Sequence, residues 1–137
     1  VVHCSATPPN MNIGDKEIKQ WHLDRGWQDI GYHVVIRRNG EVEYGRPFDV
    51  QGAHVKGYNK SSLGVCLVGG VTLQGKAQDN FTEEQYESLE RVLLALHGLF
   101  PDARTLGHRD FPSVIKDCPS FNVKQWCEDK WITFAEF

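Results

Sequence analysis

A short apolar run at residues 63–71 constrains the fold more than any other segment. Val65, Leu67 and Val68 leave this run without a polar face, and glycines bound it. That composition is typical of a strand buried on both sides, which lies in the middle of a sheet. The run therefore predicts a sheet whose two faces are both covered by other elements.

A hairpin is predicted earlier in the chain, and residues 45–62 between it and this strand are predicted to be a long surface loop that contains His54. Residues 32–38 and 41–44 read as two strands, and Asn39 and Gly40 stand between them. Asn-Gly favours the type I′ turn that joins antiparallel strands. A further strand end is predicted at residues 1–4.

Three segments have helical patterns. Residues 15–25 begin with an acidic residue and stop before Gly26, which suits a left-handed C-terminal cap. Residues 82–100 open with Thr-Glu-Glu-Gln, a capping-box sequence, and then repeat apolar residues at helical spacing. Asn122 can cap a last short helix. The order of elements predicts an α/β fold, a mixed central β-sheet flanked by helices.

Composition sets the broad class of the protein. The 137 residues include 40% hydrophobic and 24% charged residues, so we expect one domain over residues 1–137. A net charge of -3 argues against direct nucleic-acid binding. No apolar run reaches about eighteen residues and no export signal is visible, so we expect no membrane partner. We also expect a monomer.

The four cysteines are predicted to be reduced thiols. They lie at positions 4, 66, 118 and 127, without a Cys-x-x-Cys pair or a dense disulfide spacing. Cys66 and Cys127 are predicted core residues. Because side chains alternate along a strand, Cys4 points away from the face that His3 uses.

Three residues could hold a metal ion. His3 at a strand end, His108 in Gly-His-Arg-Asp and Cys118 in Lys-Asp-Cys-Pro offer two imidazoles and a thiolate, which suit zinc. Three protein ligands leave a fourth position open to water, as in catalytic zinc sites. The alternative is a hydrogen-bonded strand histidine, a loop histidine and a small buried thiol. Spacing alone favours this structural interpretation, because His3 and His108 are far apart in sequence and His-Glu-x-x-His is absent.

A family resemblance extends over nearly the whole chain. The matching blocks, in chain order, are His3-Cys-Ser-Ala-Thr, Trp21-His, Gly31-Tyr-His, Lys56-Gly-Tyr-Asn, Gly64-Val-Cys-Leu-Val-Gly-Gly and Lys116-Asp-Cys-Pro-Ser-Phe. With these blocks the chain resembles the type 2 N-acetylmuramoyl-L-alanine amidases of the phage T7 lysozyme type. That family is shared with the peptidoglycan recognition proteins. The loop between His108 and Cys118 is slightly longer here than in the family pattern.

The resemblance implies a mixed sheet around a cleft with one zinc ion. By motif position it implies that His3, His108 and Cys118 are the zinc ligands. It also implies catalytic roles for Tyr32 and Lys116 beside the metal. The Lys116 ammonium would stabilise an oxyanion, and the Tyr32 hydroxyl would orient water or exchange a proton.

Other side chains receive a role or a structural interpretation. His54 resembles a cleft-lining segment of the family, so we expect it to bind substrate. The other histidines, His22, His33 and His97, are expected to be structural. Trp21 and Trp126 fall at helical core positions, whereas Trp27 is a candidate for the cleft.

The resemblance also implies partners and a place of action. The substrate would be peptidoglycan, cut between N-acetylmuramic acid and the L-alanine of the stem peptide, and phage RNA polymerase would be a second partner. The protein would be made in the host cytoplasm and act on the cell wall in the periplasm at lysis. Rival hypotheses are recognition of peptidoglycan without cleavage and hydrolysis of a bond within the stem peptide.

Overall fold

The computed structural model describes residues 1–135, over which four short strands and three α-helices are formed. The strands are β1 (Val2–Cys4), β2 (Val34–Ile36), β3 (Val42–Tyr44) and β4 (Val65–Leu67), and the helices are α1 (Asp15–Asp24), α2 (Glu83–Leu99) and α3 (Val123–Asp129). The strands form one sheet in the order β1-β4-β2-β3. β4 runs parallel to both neighbours and β3 runs antiparallel to β2. The predicted mixed α/β sheet is confirmed.

Helices cover both faces of this sheet. One face carries Val34, Val65 and Leu67 and packs against Leu89 and Leu93 of α2 and residues of α3. The other face carries Val35 and Cys66 and packs against Ile18 of α1 in a smaller cluster. The central strand β4 is therefore buried on both sides, as its apolar sequence predicted.

The capping box of α2 also ties the helix to the sheet. Thr82 Oγ1 accepts a hydrogen bond from the Gln85 amide at 3.1 Å, and Gln85 Oε1 accepts one from the Thr82 amide at 3.0 Å. The fully buried Gln85 side chain donates from Nε2 to the carbonyl oxygens of Ile36 and Val68. The N-terminus of α2 is thus fixed at the ends of β2 and β4.

The hairpin turn differs from the sequence prediction. Gly40 has a φ of 86°, but Asn39 is not among the residues with positive φ, so the turn is not type I′, which needs both. A Cβ on Gly40 would lie 2.8 Å from the Glu84 carbonyl oxygen of α2. A side chain at position 40 would therefore collide with α2, and the positive φ also favours glycine there.

Helix α1 ends as predicted but buries less than predicted. Gly26, with a φ of 89°, follows the C-cap residue Arg25. Only Ile18 and His22 of this helix are buried, and these residues are four positions apart on one narrow face. Trp21 lies beside that face and is 37% exposed, so its predicted core position is wrong.

Among residues 1–135, no helix has both the length and the apolar character needed to cross a membrane.

Candidate metal centre

Three side chains from distant parts of the chain meet at one edge of the fold. His3 comes from β1, His108 from a single 3-10 turn at His108–Asp110, and Cys118 from the loop before α3. One potential ligand atom from each lies within 4.8 Å of the others. The structure therefore brings together the three residues that the sequence singled out.

The donor set and its spacing fit zinc. Tetrahedral coordination with Zn–N bonds of about 2.0 Å and Zn–S bonds of about 2.3 Å separates ligand atoms by roughly 3.3–3.6 Å. Cys118 Sγ lies 4.0 Å from His3 Nδ1, so small side-chain adjustments bring the group into that range. No fourth His, Cys, Asp or Glu joins this group within residues 1–135, which leaves a coordination position for water.

The two later ligand segments are held together by backbone contacts. The Arg109 amide donates to the Cys118 carbonyl oxygen at 2.8 Å, so the 3-10 turn and the thiol loop run side by side. The Gly107 amide donates to Asp110 Oδ2 at 2.7 Å and closes the turn that presents His108. Val2 pairs with Gly107, which joins this region to β1.

The environment keeps the site histidines neutral. Burial lowers the pKa of His3 well below its ordinary value, and the nearby His54 and His108 lower it further. Burial, followed by the charge of Lys116, lowers the pKa of His108. A neutral imidazole is the form that binds a metal ion, so the site favours ligation over protonation.

Tyr32 and Lys116 both lie near this group. The Tyr32 ring centroid is 5.1 Å from that of His3, and burial raises the pKa of Tyr32 well above its ordinary value. Its hydroxyl is therefore a neutral donor. Lys116 is exposed and lies at the rim of the cleft, where its charge acts on His108.

An open cleft lies beside the candidate ligand His108. His54, His108 and Lys116 line it together with Trp27, which the sequence proposed as a cleft residue. Ser113, Val114 and Ile115 of the longer loop form part of the same wall, and Ile115 is fully exposed. The cleft thus combines cationic, aromatic and aliphatic surfaces.

His54 has a contact that the sequence did not suggest. Its Nδ1 lies 2.8 Å from His3 Nε2, and its Nε2 lies 3.3 Å from Ser62 Oγ. Burial lowers the pKa of His54 to about 3, so it is neutral. Ser62 was not a predicted site residue, and neither periodicity nor a motif links it to His3. Direct substrate binding by His54 stays a prediction, although both ring nitrogens face protein atoms.

The remaining histidines make local structural contacts, in agreement with their structural interpretation. His22 Nδ1 accepts a hydrogen bond from the Gly31 amide at 2.8 Å, and His33 Nδ1 accepts one from the Gly64 amide at 3.0 Å. His97 Nε2 lies 2.8 Å from Thr105 Oγ1.

Cys4 lies on the sheet face opposite His3, as the alternation of strand residues predicted. It pairs with Leu67 in β4, and its thiol lies 3.9 Å from Ser120 Oγ.

Comparison with known proteins identifies the family. The family model described as N-acetylmuramoyl-L-alanine amidase matches residues 1–121, most of the chain and all three candidate ligands. The chain belongs to this amidase family. The resemblance noted in the sequence is therefore confirmed.

Phage endolysins are among the similar members of the amidase family. The endolysin of Enterobacteria phage K11 is 51% identical over 125 residues, which cover 91% of this chain and 82% of the relative. The endolysin of Escherichia phage T7 is 48% identical over 127 residues, covering 93% and 83%.

Solved structures extend this amidase fold to peptidoglycan recognition proteins. The Drosophila protein PGRP-LB superposes with a TM-score of 0.77 at 26% identity, over 99% of this chain and 81% of that protein. The sheet and helices described above are therefore the shared architecture of this amidase family and the recognition proteins.

Proposed function

We propose that this chain is a zinc-dependent N-acetylmuramoyl-L-alanine amidase, a phage endolysin that hydrolyses the amide between N-acetylmuramic acid and the L-alanine of the peptidoglycan stem peptide. The observation that carries the proposal is the His3, His108 and Cys118 group, with ligand atoms within 4.8 Å. Its position beside an open cleft and the family membership support the same activity.

These three residues would hold one zinc ion. When bound, the metal supplies Lewis-acid chemistry, lowering the pKa of water and polarising a carbonyl group. The rest of the cleft must bind the muropeptide and stabilise the charge that develops on its amide. Lys116 and Tyr32, which lie near the candidate ligands, are the side chains proposed for these two roles.

Lys116 is the proposed oxyanion contact. Its ammonium lies at the cleft rim, close enough to His108 to lower the pKa of that imidazole. A cation at the rim of the cleft would favour a tetrahedral oxyanion over the neutral amide from which it forms. Lys116 therefore acts mainly in the transition state, not in substrate binding.

Tyr32 is the proposed hydroxyl donor. Burial raises its pKa, so the phenol keeps its proton at neutral pH, and its ring lies beside the His3 ring. A neutral phenol can donate a hydrogen bond to water or to the substrate and orient it for attack. His54 would then act from the cleft wall, as a substrate contact or through His3.

Digestion of purified peptidoglycan tests the proposal. Products are read by mass spectrometry with and without a chelator. We expect free stem peptides with an L-alanine amino terminus, lost on chelation and restored by zinc. Intact wall that retains the protein would instead indicate recognition without cleavage. A new amino terminus inside the stem peptide would indicate a peptidase.

Binding of phage RNA polymerase is a second activity that the family resemblance implies, and the monomeric state is a separate proposal. A pull-down with the Cys118→Ser variant separates polymerase binding from zinc-dependent hydrolysis. Retention of the polymerase by the variant would support a binding surface outside the metal group. The proposed place of action is the host cell wall at lysis, reached from the cytoplasm in which the protein is made.

A further inference from the structure

A continuous hydrogen-bond chain leads from His3 into the protein. His3 Nε2 lies 2.8 Å from His54 Nδ1, and His54 Nε2 lies 3.3 Å from Ser62 Oγ. Ser62 Oγ lies 2.7 Å from the carbonyl oxygen of Tyr58. The other nitrogen of His3, Nδ1, faces Cys118 Sγ at 4.0 Å. The chain therefore starts at a backbone carbonyl and ends at the candidate metal position.

The Tyr58 carbonyl oxygen determines which atom donates and which accepts in every hydrogen bond of this chain. A carbonyl oxygen only accepts, so the Ser62 hydroxyl uses its single proton on Tyr58, and its oxygen must accept from His54 Nε2. Neutral His54 with its proton on Nε2 has a free lone pair on Nδ1, which accepts from His3 Nε2. His3 is then protonated on Nε2 and presents the Nδ1 lone pair towards Cys118.

The backbone around His54 holds its ring in place for this role. The amides of His54 and Val55 both donate to Asn59 Oδ1, at 2.7 and 2.8 Å. The Ala53 amide donates to the Gly31 carbonyl oxygen at 3.0 Å. A Cβ on Gly64 would lie 2.7 Å from His54 Cγ, so the ring packs directly on a glycine.

We infer that His54, Ser62 and the Tyr58 carbonyl form an orienting chain that fixes the His3 tautomer and aims His3 Nδ1 at the metal. His54 and Ser62 are thus positioning residues, and the main task of His54 is to direct a ligand instead of contacting substrate. Partners of this kind on a metal-binding histidine commonly change metal affinity by about 10- to 100-fold. The inference rests on the proposed zinc site for its function, although the tautomer itself does not require metal.

The tautomer is tested first in the metal-free protein. Long-range proton–nitrogen NMR spectra at neutral pH distinguish protonated from unprotonated imidazole nitrogens. We expect His3 protonated on Nε2 and His54 protonated on Nε2 in the wild type. Loss of this preference at His3 is expected in His54→Phe, which keeps a ring but cannot accept. His3 protonated on Nδ1 in the wild type would overturn the inference.

Zinc affinity, measured by competition with a chelating dye, tests the consequence. We expect His54→Phe to weaken binding by about 10- to 100-fold. Ser62→Ala should weaken it by less, and Ser62→Thr, which keeps the hydroxyl, should restore it. If His54→Phe does not fold, this serine pair still decides the question. Equal affinity across wild type, Ser62→Ala and Ser62→Thr, with an unchanged His3 tautomer, would refute the orienting chain.

A matched control is His97→Phe. His97 lines the same cavity as Ser62, but its Nε2 bonds Thr105 and not a member of the orienting chain, so this variant should keep both the His3 tautomer and the zinc affinity. The two proposals fail differently. A wild-type protein with the expected tautomer but no zinc binding would refute the zinc amidase alone. Tight zinc binding with the opposite tautomer would refute the orienting chain alone.

Discussion

The backbone amide of Cys4 donates a hydrogen bond to Cys118 Sγ at 3.2 Å. Strand β1 thus supplies one candidate ligand, the His3 side chain, and its next residue, Cys4, contacts the second candidate, Cys118, through the backbone amide. The neighbouring Cys4 thiol and burial raise the pKa of Cys118 above its ordinary value, whereas this amide lowers it. The thiol is therefore protonated in the metal-free protein, and binding of a metal ion would displace that proton. The strand and the thiol loop therefore form a single unit of the site.

Replacing the thiol tests this unit. We expect Cys118→Ser to lose zinc binding and hydrolysis, because an alcohol is a poor zinc ligand beside a thiolate. Zinc content by mass spectrometry and peptidoglycan cleavage are the measurements. Cys127→Ala is the control, since this thiol is buried in the core around α3 and should affect stability but not metal content. Full metal and activity in Cys118→Ser would remove it from the ligand set.

Removing the rim ammonium should separate binding from catalysis. Lys116→Ala is expected to retain zinc and to lose on the order of 100-fold in kcat, since an oxyanion contact acts mainly in the transition state. Steady-state cleavage of a soluble muropeptide gives kcat and KM separately. Lys76→Ala, an exposed lysine that does not line the cleft, should leave both constants unchanged. An unaltered kcat in Lys116→Ala would exclude the proposed role.

Two leucines on α2 test the packing of that helix. Leu89 is fully buried against the sheet, whereas Leu94 is 54% exposed. We expect Leu89→Ala to lower the free energy of unfolding by roughly 2–5 kcal/mol, from lost burial and a cavity. Leu94→Ala should cost well under half of that. Urea unfolding followed by circular dichroism measures both, and equal losses would contradict the described orientation of α2.

Acid should destabilise the metal-free protein through His22. Burial, followed by the charges of Arg25 and Arg46, lowers its pKa from an ordinary 6.5 to about 4. Between pH 6.5 and 4, His22 is protonated in the unfolded chain but neutral in the folded protein. The free energy of unfolding therefore falls as pH drops from 6.5 to 4, by at most about 1.4 kcal/mol per pH unit from this group. Above pH 6.5 this contribution is constant.

The comparison protein for this effect is His22→Gln, which cannot titrate in that range. Its free energy of unfolding should depend less steeply on pH between 6.5 and 4 than that of the wild type. Urea unfolding across the pH series, in chelator, provides the slopes. Parallel slopes in the two proteins would show that His22 is protonated equally in the folded and unfolded states.

Sequence patterns predicted those elements whose conformation depends on neighbouring residues in the chain. The apolar sequence of β4 predicted its central position because a strand buried twice has no place for polar side chains. The capping sequence at Thr82 predicted the start of α2 because its two hydrogen bonds lie within four residues. The Asn-Gly pair correctly predicted the hairpin but not its turn type, because residues 38–40 form a three-residue loop between the bonded Arg37 and Glu41, and only Gly40 of these residues has a positive φ.

The site depended on a different kind of information. The spacing of His3, His108 and Cys118 along the chain did not predict that they form one group. The family motifs in which they stand did predict it. Neither spacing nor motifs predicted the contact from His3 through His54 to Ser62, because His3 on a strand and His54 in an irregular loop are 51 residues apart. Such a contact has no periodicity and depends on how the loop folds back on the sheet.

The candidate metal group joins parts of the chain that are made at different times. Cys118 follows His3 by 115 residues. During translation the candidate ligand set is therefore incomplete until Cys118 has left the ribosome, and zinc capture before that point would involve fewer than three of these side chains.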